Sequence, residues 1–197
     1  MRSDDEIWTH IDAQRAALAD LLATLTADQW AAPSLCPGWA VRDVTAHLTH
    51  STMSWPRMGW EAARSGLRFN AMLARLARTD PRTPDQLVAA IRAMAGVRRR
   101  PPGTAVADPL TDVLVHGQDI AVPIGVDLPM PTTPAVLAAE RLWEMGFPFH
   151  ARRRFAGYAL QATDADFRRG AGAPLTGPIR DIVLALSGRN SRLEAGV

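Results

Sequence analysis

Residues 35–48 read LCPGWAVRDVTAHL, a short loop that leads into the first turns of a helix. Pro37 and Gly38 prevent a helix from continuing through the loop, so the next helix begins after them. The apolar side chains of Val44 and Leu48 then recur at the spacing of one helix face. The stretch therefore predicts a helix that packs by one face on a core, preceded by a rigid loop.

Amphipathic helices are predicted on both sides of this stretch. Between Ser3 and Thr26 the apolar residues form one stripe with 3.6-residue periodicity, and Glu6 is placed to complete a capping box with Ser3. The helix that begins near Val41 is predicted to end or kink at Pro56. The later predicted helices cover residues 60–78, 84–97, 108–122 and 134–146; Gly66 interrupts the first of them, and Thr83 precedes the second. Several amphipathic helices joined by short loops predict a helical bundle.

The chain changes character after residue 150. Two short strands are predicted there, at residues 158–163 and 167–169. A loop at residues 170–174 and an apolar helix at residues 178–187 follow them. A segment of this size is too small to be stable alone, so we expect it to dock on the bundle. We therefore predict a mainly α protein with a helical bundle in residues 1–150 and a small α/β segment in residues 155–197.

The composition is that of a folded domain. Of 197 residues, 47% are hydrophobic and 21% are charged, which argues against intrinsic disorder. There is no run of about 18 apolar residues, and the first residues, MRSDDE, are acidic where a secretory signal would be basic. The single cysteine, Cys36, cannot form an internal disulfide. We therefore expect a cytoplasmic protein with no membrane association.

The basic residues give no sign of a nucleic-acid partner. The sequence contains 22 basic residues, all of them arginine, against 20 acidic residues, for a net charge of +2. Nucleic-acid binders cluster their positive charge on one face. Here arginine runs occur only at residues 98–100 and 152–154, near predicted helix ends, where they complement the helix dipole. We expect no nucleic-acid binding, which would require one contiguous basic face.

Three side chains are candidates for a metal site. Asp112 and His116 are spaced i, i+4 on one predicted helix, so both can bind the same cation, and His47 on another helix can supply a third ligand. Two nitrogens, one carboxylate and an open position are typical of a catalytic zinc site. However, such pairs also arise by chance, and the helical wheel allows Asp112 and His116 to form an exposed polar pair.

Other polar residues have two interpretations. Cys36 has no histidine next to it in sequence, which favours a small buried apolar side chain over a nucleophile. Asp119, three residues after His116, is either an acceptor that orients the histidine or a surface charge. In the tail, arginines either clamp a substrate carboxylate or lie at the surface, and the surface is favoured. These arginines are Arg168, Arg169 and Arg180.

Three segments together resemble one protein family. The stretch from Trp30 to Leu48, with LCPGW-x-VRD-x-x-AHL, resembles the N-terminal signature of the mycothiol-dependent maleylpyruvate isomerase family, part of the DinB-like superfamily. The segment D-x-x-x-HGQDIA-x-P-x-G, from Asp112 to Gly125, is similar to the family's second metal-ligand helix. In the tail, ATDADF, a glycine-rich turn and an apolar helix ending in GR are similar to the family's C-terminal portion. The matches follow the family's order over most of the chain.

The resemblance implies a DinB-like four-helix bundle with a small C-terminal α/β segment. It also implies one divalent metal, with zinc expected first and nickel second, held by His47, Asp112 and His116. The family pattern tends to have glutamate where this chain has Asp112, whose side chain is one methylene shorter. The site must therefore tighten, add a water or lose its carboxylate ligand.

The resemblance implies a thiol cosubstrate as well, mycothiol or a similar small thiol. The thiolate is the reactive form of a thiol, and a divalent cation deprotonates a bound thiol at neutral pH. A thiolate that adds to a conjugated double bond converts it into a single bond, which can rotate. If the thiolate is then eliminated, the alkene is isomerised and the enzyme is an isomerase. If the thiol stays attached to the product, the enzyme is an S-transferase. We therefore expect a monomeric or homodimeric enzyme that acts on a small electrophile, carboxylated or not. The alternative is a non-catalytic bundle that has lost the metal and binds a small molecule or a partner.

Overall fold

The computed structural model describes residues 3–66, 68–100, 103–190 and 192–195, and the chain divides into two compact units, Met1–Leu128 and Pro129–Val197. The helices described in the N-terminal unit are α1 (Asp4–Leu22), α2 (Ala27–Ala31), α3 (Val41–His50), α4 (Trp55–Arg64), α5 (Phe69–Arg78), α6 (Pro84–Arg92) and α7 (Ala107–Ala121). Those of the C-terminal unit are α8 (Thr132–Glu144), α9 (Ala151–Arg154) and α10 (Ile179–Leu186), with strands β1 (Tyr158–Ala162), β2 (Arg168–Gly170), β3 (Ala173–Gly177) and β4 (Glu194–Ala195).

Local capping signals set the starts of the N-terminal helices. At α1 the Ser3 hydroxyl accepts a hydrogen bond from the Glu6 backbone, and the Glu6 carboxylate accepts one from the Ser3 backbone, both at 3.2 Å. At α6, Thr83 forms the same reciprocal pair with Gln86, and Pro84 occupies the first turn. Both predicted helix starts are confirmed.

Four helices build the core of the N-terminal unit. Helix α1 packs against α6 and α7, and α3 packs against α6 and α7 from its own side. The buried apolar residues that they share include Leu18, Leu22, Val44, Leu48, Leu87, Ile91, Val113 and Ile120. Because α3 and α7 are in direct contact, side chains on their facing surfaces are brought together.

Several helix boundaries differ from the sequence prediction. Helix α3 ends at His50, and Pro56 lies in the first turn of α4, so this proline begins a new helix and neither ends nor kinks the old one. Proline lacks a backbone N–H, and the first turn of a helix is where that donor is not needed. Helix α1 ends at Leu22 and α6 at Arg92, both earlier than predicted. The predicted interruption at Gly66, which has a positive φ of 59°, is confirmed, because it separates α4 from α5.

The C-terminal unit contains a small sheet covered by helix. The strand order is β2-β1-β3-β4, with β1 antiparallel to β2 and parallel to β3. The predicted loop at 170–174 is therefore wrong at its end, where Ala173 begins β3. This strand contains proline and glycine and follows another glycine, and these residue types are typical of loops, so the sequence pattern did not indicate a strand. A Cβ at Gly172 would lie 2.0 Å from the Gly157 carbonyl oxygen, so a close backbone approach requires glycine there.

The division between the units lies earlier than residue 150. Helix α8 packs on α10 and so belongs with the tail, which ends the N-terminal unit at Leu128. The predicted docking of the tail on the bundle stays a prediction. The mainly helical architecture with a small C-terminal sheet agrees with the sequence prediction. Across the described segments, we find no helix with both the length and the apolar character needed to cross a membrane.

Candidate metal centre

Helices α3 and α7 bring the three predicted ligands together. Asp112 Oδ1 lies 3.4 Å from His116 Nε2 and 3.9 Å from His47 Nε2. The two imidazole rings are 4.9 Å apart between centroids and nearly perpendicular, at 82°. These three residues, called the His47 cluster below, place one ligand atom each within 4.8 Å of the others. The i, i+4 spacing in α7 therefore gives a convergent pair, not an exposed one.

The His47 cluster fits a divalent cation. Zinc binds nitrogen and carboxylate oxygen at about 2.0–2.1 Å, which places two ligands of a tetrahedral ion about 3.4 Å apart. The separations of Asp112 from the two histidines are equal to or slightly greater than this value. The shorter aspartate side chain thus stays within reach of both imidazoles, and the donor set leaves one position for another ligand.

His47 is held in the neutral form that binds metals. Its side chain is buried, and this burial, together with the neighbouring His116 charge, lowers the pKa of His47 to about 4. At neutral pH, Nε2 therefore has a lone pair to offer. On the other side, Trp39 contacts the ring edge-on, with centroids 5.3 Å apart. The loop before α3 thus packs directly on this histidine.

His116 is oriented by a buried carboxylate. Its Nδ1 lies 2.8 Å from Asp119 Oδ2, and Asp119 is fully buried. Burial disfavours a charged imidazole, but the hydrogen bonds to Asp119 and Cys36 and the charge of Asp112 raise the pKa of His116 to about 10. Nδ1 donates to Asp119, and Nε2 therefore faces Asp112. Asp119 is an acceptor for the histidine and not a surface charge.

Cys36 contacts the same polar group, which the sequence did not indicate. Its Sγ lies 3.1 Å from Asp119 Oδ2 and 3.7 Å from His116 Nδ1. Cys36, His116 and Asp119 also offer one ligand atom each within 4.8 Å of the others. The 2.8 Å and 3.1 Å separations at Asp119 are those of hydrogen bonds and are shorter than the spacing of about 3.4 Å between two ligands of a tetrahedral zinc ion. Cys36 is therefore a polar neighbour of His116 as well as a half-buried side chain against the core.

A cavity opens beside the His47 cluster. Its volume is about 240 Å³, and His47 and Asp112 form part of its wall. The remaining lining residues are His50, Ser51, Met58, Leu73, Thr104, Asp108 and Pro109. A small molecule held there would lie against the candidate ligands, which is the arrangement of a reaction site.

A second histidine–carboxylate group lies further along α3. His50 Nε2 is 3.0 Å from Asp80 Oδ2, and Arg82 binds both carboxylate oxygens at 2.9 Å and 2.6 Å. Although burial opposes it, these bonds from Arg82 and His50 hold the pKa of Asp80 well below its usual range. His50, Asp80 and Arg82 are called the Asp80 cluster below. The side chains of His47 and His50 are both largely buried, with exposed fractions of 15% and 11%.

The tail arginines are divided between exposed positions and local pairs. Arg169 Nε and a terminal nitrogen contact Glu140 at 2.8 Å and 2.6 Å. Arg168 is exposed on β2. The guanidinium of Arg169 is thus engaged by a carboxylate of its own unit, in agreement with the surface interpretation.

Comparisons with known proteins place this geometry in context. The family model described as the mycothiol maleylpyruvate isomerase N-terminal domain matches residues 11–108. No curated protein matches the chain significantly. Among solved structures, the mycothiol-dependent maleylpyruvate isomerase is similar, with a TM-score of 0.60 and 16% identity, over 98% of this chain and 92% of that one. A histidine-to-alanine variant of that enzyme gives a TM-score of 0.59 and 15% identity, over 96% and 91%. At these identities the likeness shows the fold.

Proposed function

The chain belongs to the mycothiol maleylpyruvate isomerase family, through the N-terminal domain that residues 11–108 match, and from this premise we propose that it is a metal- and thiol-dependent enzyme. The reaction is an isomerisation or an S-transfer on a small electrophile. The proposed metal ligands are His47, Asp112 and His116, with zinc expected first and nickel second. The proposed cosubstrate is mycothiol or a similar small thiol.

The protein's own residues prepare such a centre. A divalent cation, when bound, supplies Lewis-acid activation that converts a thiol into the nucleophilic thiolate at neutral pH. His47 offers a neutral nitrogen because burial keeps it unprotonated. Asp119 fixes the ring of His116 so that Nε2 faces Asp112, and Asp112 contributes the one negative charge of the three ligands.

The cavity next to the His47 cluster accounts for the substrate side of the proposal. Met58, Leu73 and Pro109 give it an apolar wall against which a small electrophile packs. The ionised thiol adds its sulfur to a conjugated double bond, and the π electrons move toward the conjugated acceptor group. The new single bond rotates, and loss of the thiolate restores the alkene in its other isomer. If a proton is added instead, the thioether is the product.

The convergence of His47, Asp112 and His116 is the observation that carries this proposal. It is tested by elemental analysis of the purified full-length protein. We expect close to one zinc or nickel ion per chain, lost in His47→Ala and in His116→Ala. His10→Ala, which changes a histidine on α1, is the matched control and keeps the metal.

A thiol titration separates the enzyme from the alternative function. In protein loaded with cobalt, added mycothiol is expected to produce a thiolate-to-cobalt charge-transfer absorption. Metal without any response to a thiol would contradict the proposed cosubstrate. Protein that stays without metal after reconstitution would instead favour the non-catalytic binding bundle.

A further inference from the structure

We infer that the Cys36 thiol is a positioning residue for the proposed metal centre, acting on His116 through Asp119. This inference rests on the metal-binding part of the proposed function. It assigns a role to the loop at residues 35–39, called the Cys36 loop below, whose cysteine was expected to be only a small apolar side chain. The role does not include binding the cation.

The Cys36 loop is attached to Asp119 at two points. The backbone N–H of Leu35 donates to the Asp119 carbonyl at 3.0 Å, and the Cys36 thiol donates to Asp119 Oδ2 at 3.1 Å. Asp119 is fully buried, so no bulk water competes for these positions. Two consecutive loop residues thus hold the backbone and the side chain of a single residue in α7.

The position of the sulfur is fixed by bonds within the loop. The Cys36 N–H donates to the Ser34 hydroxyl at 3.1 Å, and this hydroxyl donates to the Trp39 carbonyl at 2.8 Å. The Trp39 N–H closes the turn by donating to the Cys36 carbonyl at 3.0 Å. The thiol therefore reaches Asp119 from a constrained backbone, which reduces the entropy cost of making this bond.

His116 and Cys36 contact the same oxygen of the Asp119 carboxylate. Asp119 Oδ2 accepts from His116 Nδ1 at 2.8 Å and from the Cys36 thiol at 3.1 Å. The thiol therefore restrains the rotation of the carboxylate in the orientation that also holds the imidazole. The carboxylate partner of a metal-binding histidine typically changes metal affinity by about 10- to 100-fold when it is removed, and we expect the thiol that holds this carboxylate to act at the lower end of that range.

The geometry also separates Cys36 from the proposed coordination position. Its sulfur lies 3.7 Å from His116 Nδ1, whereas the metal-facing nitrogen of that ring is Nε2, 3.4 Å from Asp112 Oδ1. The two nitrogens occupy opposite sides of the imidazole. The Cys36 thiol thus lies on the Nδ1 side of the His116 ring, away from the proposed metal position. The open coordination position therefore remains available to the sulfur of an external thiol.

Zinc affinity measured against a chromophoric chelator, with the full-length protein at one fixed pH, tests the inference. We expect Cys36→Ala to bind zinc about tenfold more weakly, because the Asp119 carboxylate loses the hydrogen bond from the thiol. Cys36→Ser restores a hydroxyl donor and should recover most of the affinity. Leu35→Ala is the matched control in the same loop: it keeps the backbone bond to Asp119 and leaves the affinity unchanged.

A spectrum of the cobalt-loaded wild-type protein completes the test. Without added thiol, we expect no thiolate-to-cobalt charge-transfer band, since Cys36 is not a ligand. The inference is overturned by such a band or by equal zinc affinity in Cys36→Ala and the wild type. It is also overturned if the wild type binds no metal, and that result removes the metal centre of the proposed function as well. A wild type that binds metal but no thiol would contradict the proposed cosubstrate only.

Discussion

Two histidines three residues apart on α3 lie beside carboxylates in different surroundings. In the Asp80 cluster, Arg82 and His50 make contacts of 2.6–3.0 Å with the carboxylate, so its negative charge is balanced within the cluster. In the His47 cluster, the carboxylate lies 3.4–3.9 Å from its two histidines, farther than a direct hydrogen bond to either ring requires.

This difference distinguishes a structural ion pair from the proposed cation site. The distances in the Asp80 cluster are those of direct hydrogen bonds. The separations in the His47 cluster are wider and match those between ligands of one tetrahedral ion. We therefore propose that the same two residue types on neighbouring turns have different roles.

Asp80→Asn should have the largest effect on folding. It removes the charge that Arg82 and His50 both contact inside a largely buried cluster, and we expect a loss of about 3 kcal/mol in the free energy of unfolding. Chemical denaturation measures this loss. Asp112→Asn is the matched control and should change the stability of the metal-free protein by less than about 1 kcal/mol. Equal losses of unfolding free energy in the two variants would show that the two carboxylates do not differ in their structural role.

Metal affinity should show the reverse pattern. Asp112→Asn replaces the proposed anionic ligand by a neutral amide, and we expect zinc affinity to fall about 100-fold, or about 2.7 kcal/mol. Asp80→Asn should bind zinc as the wild type does, because Asp80 bonds to Arg82 and His50 instead. Chelator competition on both variants measures this. If Asp80→Asn bound zinc more weakly than the wild type while Asp112→Asn bound it equally well, the assignment of Asp112 as a metal ligand would be contradicted.

The pH dependence of zinc binding should follow His116. Its pKa of about 10 means that the ring carries an extra proton at neutral pH, and this proton must leave before Nε2 can bind metal. His47, with a pKa of about 4, is already neutral and adds no dependence at pH 6–9. We expect affinity to rise about tenfold per pH unit between pH 6 and 9. Isothermal titration at several pH values measures this slope, and a flat profile would contradict the protonation state of His116.

The smallest effect is expected at the edge of the Asp80 cluster. Thr49 Oγ1 accepts a hydrogen bond from Arg82 at 2.6 Å, and Thr49→Val keeps the shape while removing the oxygen. We expect a loss of about 1 kcal/mol in the free energy of unfolding and no change in zinc affinity. Thermal denaturation and chelator competition measure the two quantities, and a loss comparable to that of Asp80→Asn would show that the cluster is not organised around its carboxylate.

The parts of the fold that local signals control could be predicted from the sequence. The caps at Ser3 and Thr83 act within a few residues, so their patterns located two helix starts. The strand β3 was missed because it contains Pro174 and Gly177 and follows Gly172, and these residue types are typical of loops. Its pairing with β1 is set by contacts between distant segments, which no local pattern contains.

The candidate site was predicted only in part, for a similar reason. Asp112 and His116 share one helix face, and His47 was proposed as the third ligand from another helix, a choice that the resemblance of the motif around it to a known family supported. The helical wheel of α7 did not show which polar residues point inward, because this helix is buried on most sides. Its buried residues include the polar Asp119 and Gln118. The residues that α7 holds inward therefore do not follow an apolar stripe.

Contacts between distant segments explain what was missed in the site. Cys36 and Asp119 lie 83 positions apart, and His50 and Asp80 lie 30 positions apart. Neither pair shares an element or a recognisable spacing. Only the packing of loops against α7 and α3 brings them into contact, so the role of Cys36 required the three-dimensional structure.

Zinc-edge X-ray absorption of the zinc-loaded protein, recorded before and after addition of mycothiol, tests whether the proposed centre binds an external thiol. We predict only nitrogen and oxygen neighbours of the zinc at first, from His47, His116 and Asp112. After the thiol is added, we predict one sulfur neighbour at about 2.3 Å. Sulfur bound before any thiol is present, or none bound afterwards, would contradict this prediction.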